Sequence, residues 1–148
     1  MSDPDPAGSL AAKFSIPYAL AARLVLGDAG PEAFRGAALG NAAVRTLARR
    51  VEVIEDPELT ARVPAARPAR VEVSLAGGRT LAGEVDVPSG EFDRPYPVEA
   101  LFEKFLALAR LVLGARGARA AWALLETLPE LADARALAEV LRSLEAGR

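Results

Sequence analysis

Lys13-Phe14-Ser15-Ile16-Pro17-Tyr18-Ala19-Leu20-Ala21-Ala22 combines a helix start, an unusually apolar helix and a tyrosine with a usable hydroxyl, and the rest of the chain reads as its support. Ser15 is a good N-cap, and Pro17 falls in the first turn, where its missing N–H removes no intrahelical bond. The helix is therefore expected to begin at about Ile16 and to run to Gly27, a left-handed C-cap just after Leu24-Val25-Leu26. Ile16, Leu20 and Leu24 form one i, i+4 stripe, while Tyr18, Ala22 and Val25 form another roughly opposite. Arg23 is the only charge inside. A helix apolar on both sides must be covered on both sides, so a second body of protein is implied.

Outward from this helix, Pro31 to Arg35 supports one short helical turn, and Asn41 is a good N-cap for a helix turning Val44 and Leu47 toward the core. Arg45, Arg49 and Arg50 lie near the C-terminal end of that helix. They suit either an anion site or a solvated face that complements the helix dipole. Val51-Glu52-Val53-Ile54 alternates like a strand with one wet face, and Glu55-Asp56-Pro57 ends it. Thr60 to Pro68 reads as an irregular connection.

Arg70-Val71-Glu72-Val73-Ser74-Leu75 is the clearest strand, and Leu81, Val85 and Val87 on the returning strand share its inward parity. Cross-strand partners on one face must then have numbers summing to an even value. A two-residue turn at Gly77-Gly78 would throw Leu81 to the wrong face. The pattern demands Ala76-Gly77-Gly78 as a type I turn with Gly78 left-handed in a G1 bulge, pairing Val73 with Leu81 and Val71 with Gly83.

After a turn-rich loop over Pro88 to Pro95, a helix is expected from about Val98 to Leu113, ended by Gly114. Its apolar face holds Val98, Leu101, Phe102, Phe105, Leu108, Ala109 and Val112. A further helix runs from Ala118 to Leu128, and Asp133 caps a last one that carries Leu137, Val140, Leu141 and Leu144. Trp122 is expected to pack these helices together. The fold class is therefore α+β: a small, mainly antiparallel sheet of three strands with helices packed on one face. Residues 1–11 are expected to be a disordered tail, followed by a single domain over 12–148.

Composition excludes several functions. The chain has 148 residues, 51% hydrophobic and 26% charged, which is ordinary for a globular domain. Lysine occurs only at Lys13 and Lys104, all other basic residues being arginine, and the net charge of −2 gives no nucleic-acid or polybasic membrane footprint. There is no cysteine, which removes disulfide and thiolate chemistry, and no histidine, which removes the commonest general base and metal ligand. No cofactor and no metal are expected. The apolar runs are too short to span a bilayer, and the acidic, proline-containing start is unlike a signal peptide, so a cytoplasmic location is expected.

Phe-Ser-Ile-Pro-Tyr-Ala-Leu-Ala followed by a Gly-Asp turn resembles the segment that opens the C-terminal part of MmgE/PrpD family proteins, which include 2-methylcitrate dehydratase and cis-aconitate decarboxylase. The likeness continues through Arg50-Val51-Glu52-Val53 with Asp56-Pro57-Glu58-Leu59, the Arg70 to Val87 hairpin, and Pro95-Tyr96-Pro97 leading to Glu103-Lys104-Phe105. It covers roughly residues 12 to 145. The resemblance implies a lid-type α+β domain packed on a large helical domain, in a lyase acting on a polycarboxylic acid. It also implies that histidines, an aspartate and lysines of the helical domain supply most of the chemistry. Tyr18 matches a tyrosine that family members place at the catalytic cleft, so it is the candidate catalytic residue, with Lys13 and Ser15 as candidate substrate-binding neighbours. Without the resemblance, a tyrosine on an apolar helix reads as a core residue with a satisfied hydroxyl.

Only Met1 to Ala11 precede the likeness, so the chain is expected to be inactive alone. Three readings follow: a lid completed by a helical-domain partner subunit, a stand-alone binding or dimerisation module, or a remnant without function. A homodimer is expected to cover Tyr18, Ala19, Ala22 and Val25, since two-fold contacts are the commonest oligomer interface.

Overall fold

The computed structural model describes residues 1–133, 135, 138, 139, 141 and 142, and the chain divides into two compact units, Met1–Ala61 and Arg62–Arg148. The first is helical. Helix α1 covers Ser9–Lys13 and α2 covers Ile16–Leu26; two 3-10 turns follow at Pro31–Phe34 and Gly36–Gly40, then α3 at Ala42–Ala48 and α4 at Pro57–Thr60. The expected caps are present. Ser15 accepts from the Tyr18 N–H, Gly27 closes α2 at φ 74°, and Asn41 accepts from the N–H groups of Ala43 and Val44. Asp56, which reads in sequence as the end of a strand, instead caps α4 by accepting from Glu58 and Leu59.

The core of this unit is built largely from small side chains. Ala12, Ala21, Ala22, Ala33 and Ala48 are buried with Tyr18, Phe34 and Val44, and Ala19, Leu39 and Leu47 pack around them. Alanines let α2 and α3 approach closely, and the Tyr18 ring fills the remaining space against Phe34, with ring centroids 5.8 Å apart. The face carrying Tyr18 and Ala22 is thus covered by the chain's own turns and α3, not by a second copy. What stays open is the other stripe, together with Val25 at the far end of the first, which is 38% exposed. Ile16 is 38% exposed and Leu24 56%, with Leu20 half-buried between them and Phe14 62% exposed at its foot.

Residues 1–8 make contacts with these helices. The Ile16 N–H donates to the Met1 carbonyl at 3.0 Å, the Ser15 hydroxyl donates to the Asp3 carbonyl, and Asp5 pairs with Arg45 and Arg49. Pro6 is buried.

In the second unit, β1 (Ala69–Ser74) and β2 (Thr80–Val85) form an antiparallel two-stranded sheet with Val73 opposite Leu81 and Val71 opposite Gly83. The loop has the required geometry: the Gly78 N–H donates to the Leu75 carbonyl, the Leu75 N–H donates to the Arg79 carbonyl, and Gly78 sits at φ 77°. Among the described residues two strands form, not the three expected. Val51 to Ile54 takes no regular structure, and Ile54 is 74% exposed. Alternation is only half of a strand's requirement. The other half is a neighbour to accept its backbone bonds, and none pairs with this segment among the described residues.

Helix α5 (Val98–Glu126) is interrupted at Gly114, whose φ of 67° and ψ of 174° are non-helical. Beyond this break the chain returns, and Trp122 meets Phe102 and Phe105 at centroid distances of 5.2 and 5.4 Å. After a 3-10 turn at Leu128–Glu130, Asp133 accepts from the Arg135 N–H at the start of the expected last helix. Leu137, Val140 and Leu144 of that helix lie outside the described residues.

Candidate functional site

Ser15, at the junction of α1 and α2, brings the candidate site together. Its hydroxyl accepts from the Tyr18 N–H at 3.1 Å while donating to the Asp3 carbonyl. Both capacities of the hydroxyl are thereby in use, and the residue is buried. Lys13, in the last turn of α1, is exposed, and no hydrogen bond or ion pair joins it to Ser15 or Tyr18 among the described residues.

Tyr18 points inward. It is 1% exposed, and its hydroxyl lies 2.8 Å from the Ala33 carbonyl and 3.0 Å from that of Ala38. A phenol has one proton, so that proton is shared between two acceptors from the two 3-10 turns. Burial pushes the phenol above its ordinary range, an effect that the nearby Arg45 cation partly opposes. In this arrangement the hydroxyl holds the turns to α2. Moving a proton to or from another molecule would first require that bond to break.

The sequence reading missed the acidic partner of the arginines. Arg49 Nη2 lies 3.0 Å from Asp5 Oδ2, and Arg45 Nη2 bonds the other carboxylate oxygen. The two guanidiniums hold the Asp5 carboxyl below the ordinary carboxylate range. The i, i+4 spacing of Arg45 and Arg49 was visible, since it places both on one face. Nothing in the sequence said that a carboxylate forty residues upstream would meet them.

In the second unit, Glu84 receives Arg62 at 3.0 Å and Arg70 at 2.9 Å, which hold its carboxyl low. This is a cross-strand charge cluster on the wet face of the hairpin. A cavity of about 210 Å³ between the halves of α5 is lined by Glu103, Arg110 and Arg119 with small and aliphatic side chains, which is below the usual size for a ligand pocket. Among the described residues no group of three or more His, Cys, Asp or Glu is placed to hold a metal ion, and no helix is long and apolar enough to cross a membrane.

No curated protein matches the chain. The family model of the MmgE/PrpD C-terminal domain matches residues 1–130, which takes in the α1–α2 junction, the hairpin and α5. With its α+β fold, the chain belongs to the MmgE/PrpD C-terminal domain family.

Proposed function

We propose that this chain is the lid part of an MmgE/PrpD-type lyase acting on a polycarboxylic acid, 2-methylcitrate or a close analogue, and that a helical domain on a partner chain completes it in the cytoplasm. The observation that carries this reading is the family match over residues 1–130, to a domain defined by its C-terminal place in larger proteins. Two features support it. A dehydration or decarboxylation needs a base beside an acidic C–H, and this chain has no histidine and commits its best-placed hydroxyls to internal bonds. The open Ile16, Leu20 and Leu24 stripe also offers an apolar face to a partner.

Within that assembly, Lys13 is the residue free to meet a substrate carboxylate, and Ser15 and Tyr18 position the corner that presents it. The alternative is a non-catalytic dimerisation module. It is favoured by the same stripe, which a second copy could cover.

The purified chain should turn over none of 2-methylcitrate, citrate or cis-aconitate, and turnover should appear when an MmgE/PrpD helical-domain protein is added and co-elutes with it. Turnover by the chain alone that disappears in a Tyr18→Phe variant would overturn this reading. Co-elution only with itself would leave the dimerisation module standing.

A further inference from the structure

We propose that Arg45 and Arg49 form a carboxylate-binding site, and that the chain's own Asp5 occupies it as a displaceable stand-in for a di- or tricarboxylate. The inference goes beyond the proposed function and does not need it, because the site lies wholly within this chain.

Two guanidiniums one helical turn apart converge on one carboxylate, each taking a different oxygen. Arg45 is further fixed by donating to the Leu39 carbonyl, so its fork is held in place before any ligand arrives. Two positive charges against one negative leave the seat with a surplus of positive charge. A ligand with a second carboxylate neutralises that surplus; Asp5 alone cannot.

Asp5 is also easily exchanged. All three side chains are more than a third exposed, and ion pairs of that kind contribute little net free energy. What keeps Asp5 in place is its tether: the Met1 carbonyl on the Ile16 N–H, the Asp3 carbonyl on Ser15, and buried Pro6. The same segment therefore fills the arginine seat and straps the start of α2. Displacing Asp5 loosens the strap over Ser15 and Ile16, so ligand binding and strap release are one event.

Citrate is the probe, titrated calorimetrically into the unmodified chain and into Asp5→Asn at low ionic strength. Removing the internal competitor should tighten citrate binding about tenfold, as when a seat that is nine-tenths occupied becomes free. Adding Arg45→Gln and Arg49→Gln to Asp5→Asn should abolish the binding. Equal affinity in the first pair, or binding that survives loss of both arginines, would overturn the proposal. An independent measurement needs no variant: saturating citrate should speed hydrogen exchange at the Ile16 amide of the unmodified chain, and an unchanged rate there refutes the strap. Neither result depends on turnover, so failure here leaves the lyase reading to its own test.

Discussion

Tyr18 shows how one residue can satisfy a core and suggest a site at once. Its ring supplies the largest side chain buried in the first unit, and its hydroxyl ties Ala33 and Ala38 to α2. Tyr18→Phe keeps the ring and removes the donor that the buried Ala33 carbonyl receives, while the Ala38 carbonyl keeps the Asn41 N–H at 3.1 Å. Urea denaturation should show a loss of about 1 to 2 kcal/mol, with helix content in the native state unchanged. The pH dependence has a definite sign. Because burial raises the folded-state value, the neutral phenol favours the folded form, and that contribution is complete below the unfolded value of about 10 and is lost as pH rises through the folded one. The alkaline limb of a stability profile should therefore flatten in Tyr18→Phe relative to the unmodified chain. The cap role of Ser15 was legible from the sequence because capping is local: donor and acceptor are three residues apart. Its second bond, to Asp3, and the Asp5 contact with Arg45 and Arg49 were not, because an acidic stretch with prolines reads as a solvated tail unless its partners are known.

Among the elements, the hairpin was the most fully readable, since a period of two and a glycine pair leave only one loop length that puts Val73, Leu81, Val71 and Val85 on one face. Gly78 at φ 77° is the position that depends on glycine. Gly78→Val should cost about 1 to 2 kcal/mol in thermal or urea unfolding, because a β-branched residue is strained there, whereas Gly77→Ala, with open space around the new methyl, should be milder. If Gly77 proves the sensitive position, the register is wrong. Gly114 makes the equivalent point for α5, since its φ of 67° with ψ of 174° is a region essentially reserved for glycine. A Gly114→Ala chain must either carry roughly 1 to 3 kcal/mol of strain or straighten the helix. Straightening would withdraw Trp122 from Phe102 and Phe105, which would appear as a red shift of tryptophan emission. The failed strand at Val51 to Ile54 belongs to this scale too. Alternation there was real, but strand pairing is a relation between two segments, and a single segment's pattern cannot supply the second.

For the whole molecule, α2 is covered on one side by its own chain and open on the other, and the open side is not the one the homodimer expectation named. The Tyr18 and Ala22 face is closed by the turns at Pro31–Phe34 and Gly36–Gly40 and by α3; Pro31 and Asn41 made the first turn and α3 legible, whereas Gly36–Gly40 was not, because alanine and glycine carry almost no periodic signal. The Ile16, Leu20 and Leu24 face is open. That difference sets where a partner must act. A charge placed at Tyr18 or Ala22 would disrupt the unit's own core, so loss of association in such a variant would report misfolding, not an interface. Leu24 is the informative position, because at 56% exposure it contributes little to the isolated fold. Leu24→Arg should leave the chain's unfolding midpoint nearly unchanged, within about 0.5 kcal/mol, as is usual for surface substitutions. Against a partner that buries the stripe, the same arginine would lose its water without gaining a counter-charge, and binding should weaken at least tenfold, equivalent to about 1.4 kcal/mol. Light scattering coupled to gel filtration reads this directly, both for the chain with a helical-domain protein and for the chain by itself at micromolar concentration. A complex lost in Leu24→Arg while the midpoint holds places the partner on this stripe; a complex that forms equally well in both chains places it elsewhere on the molecule.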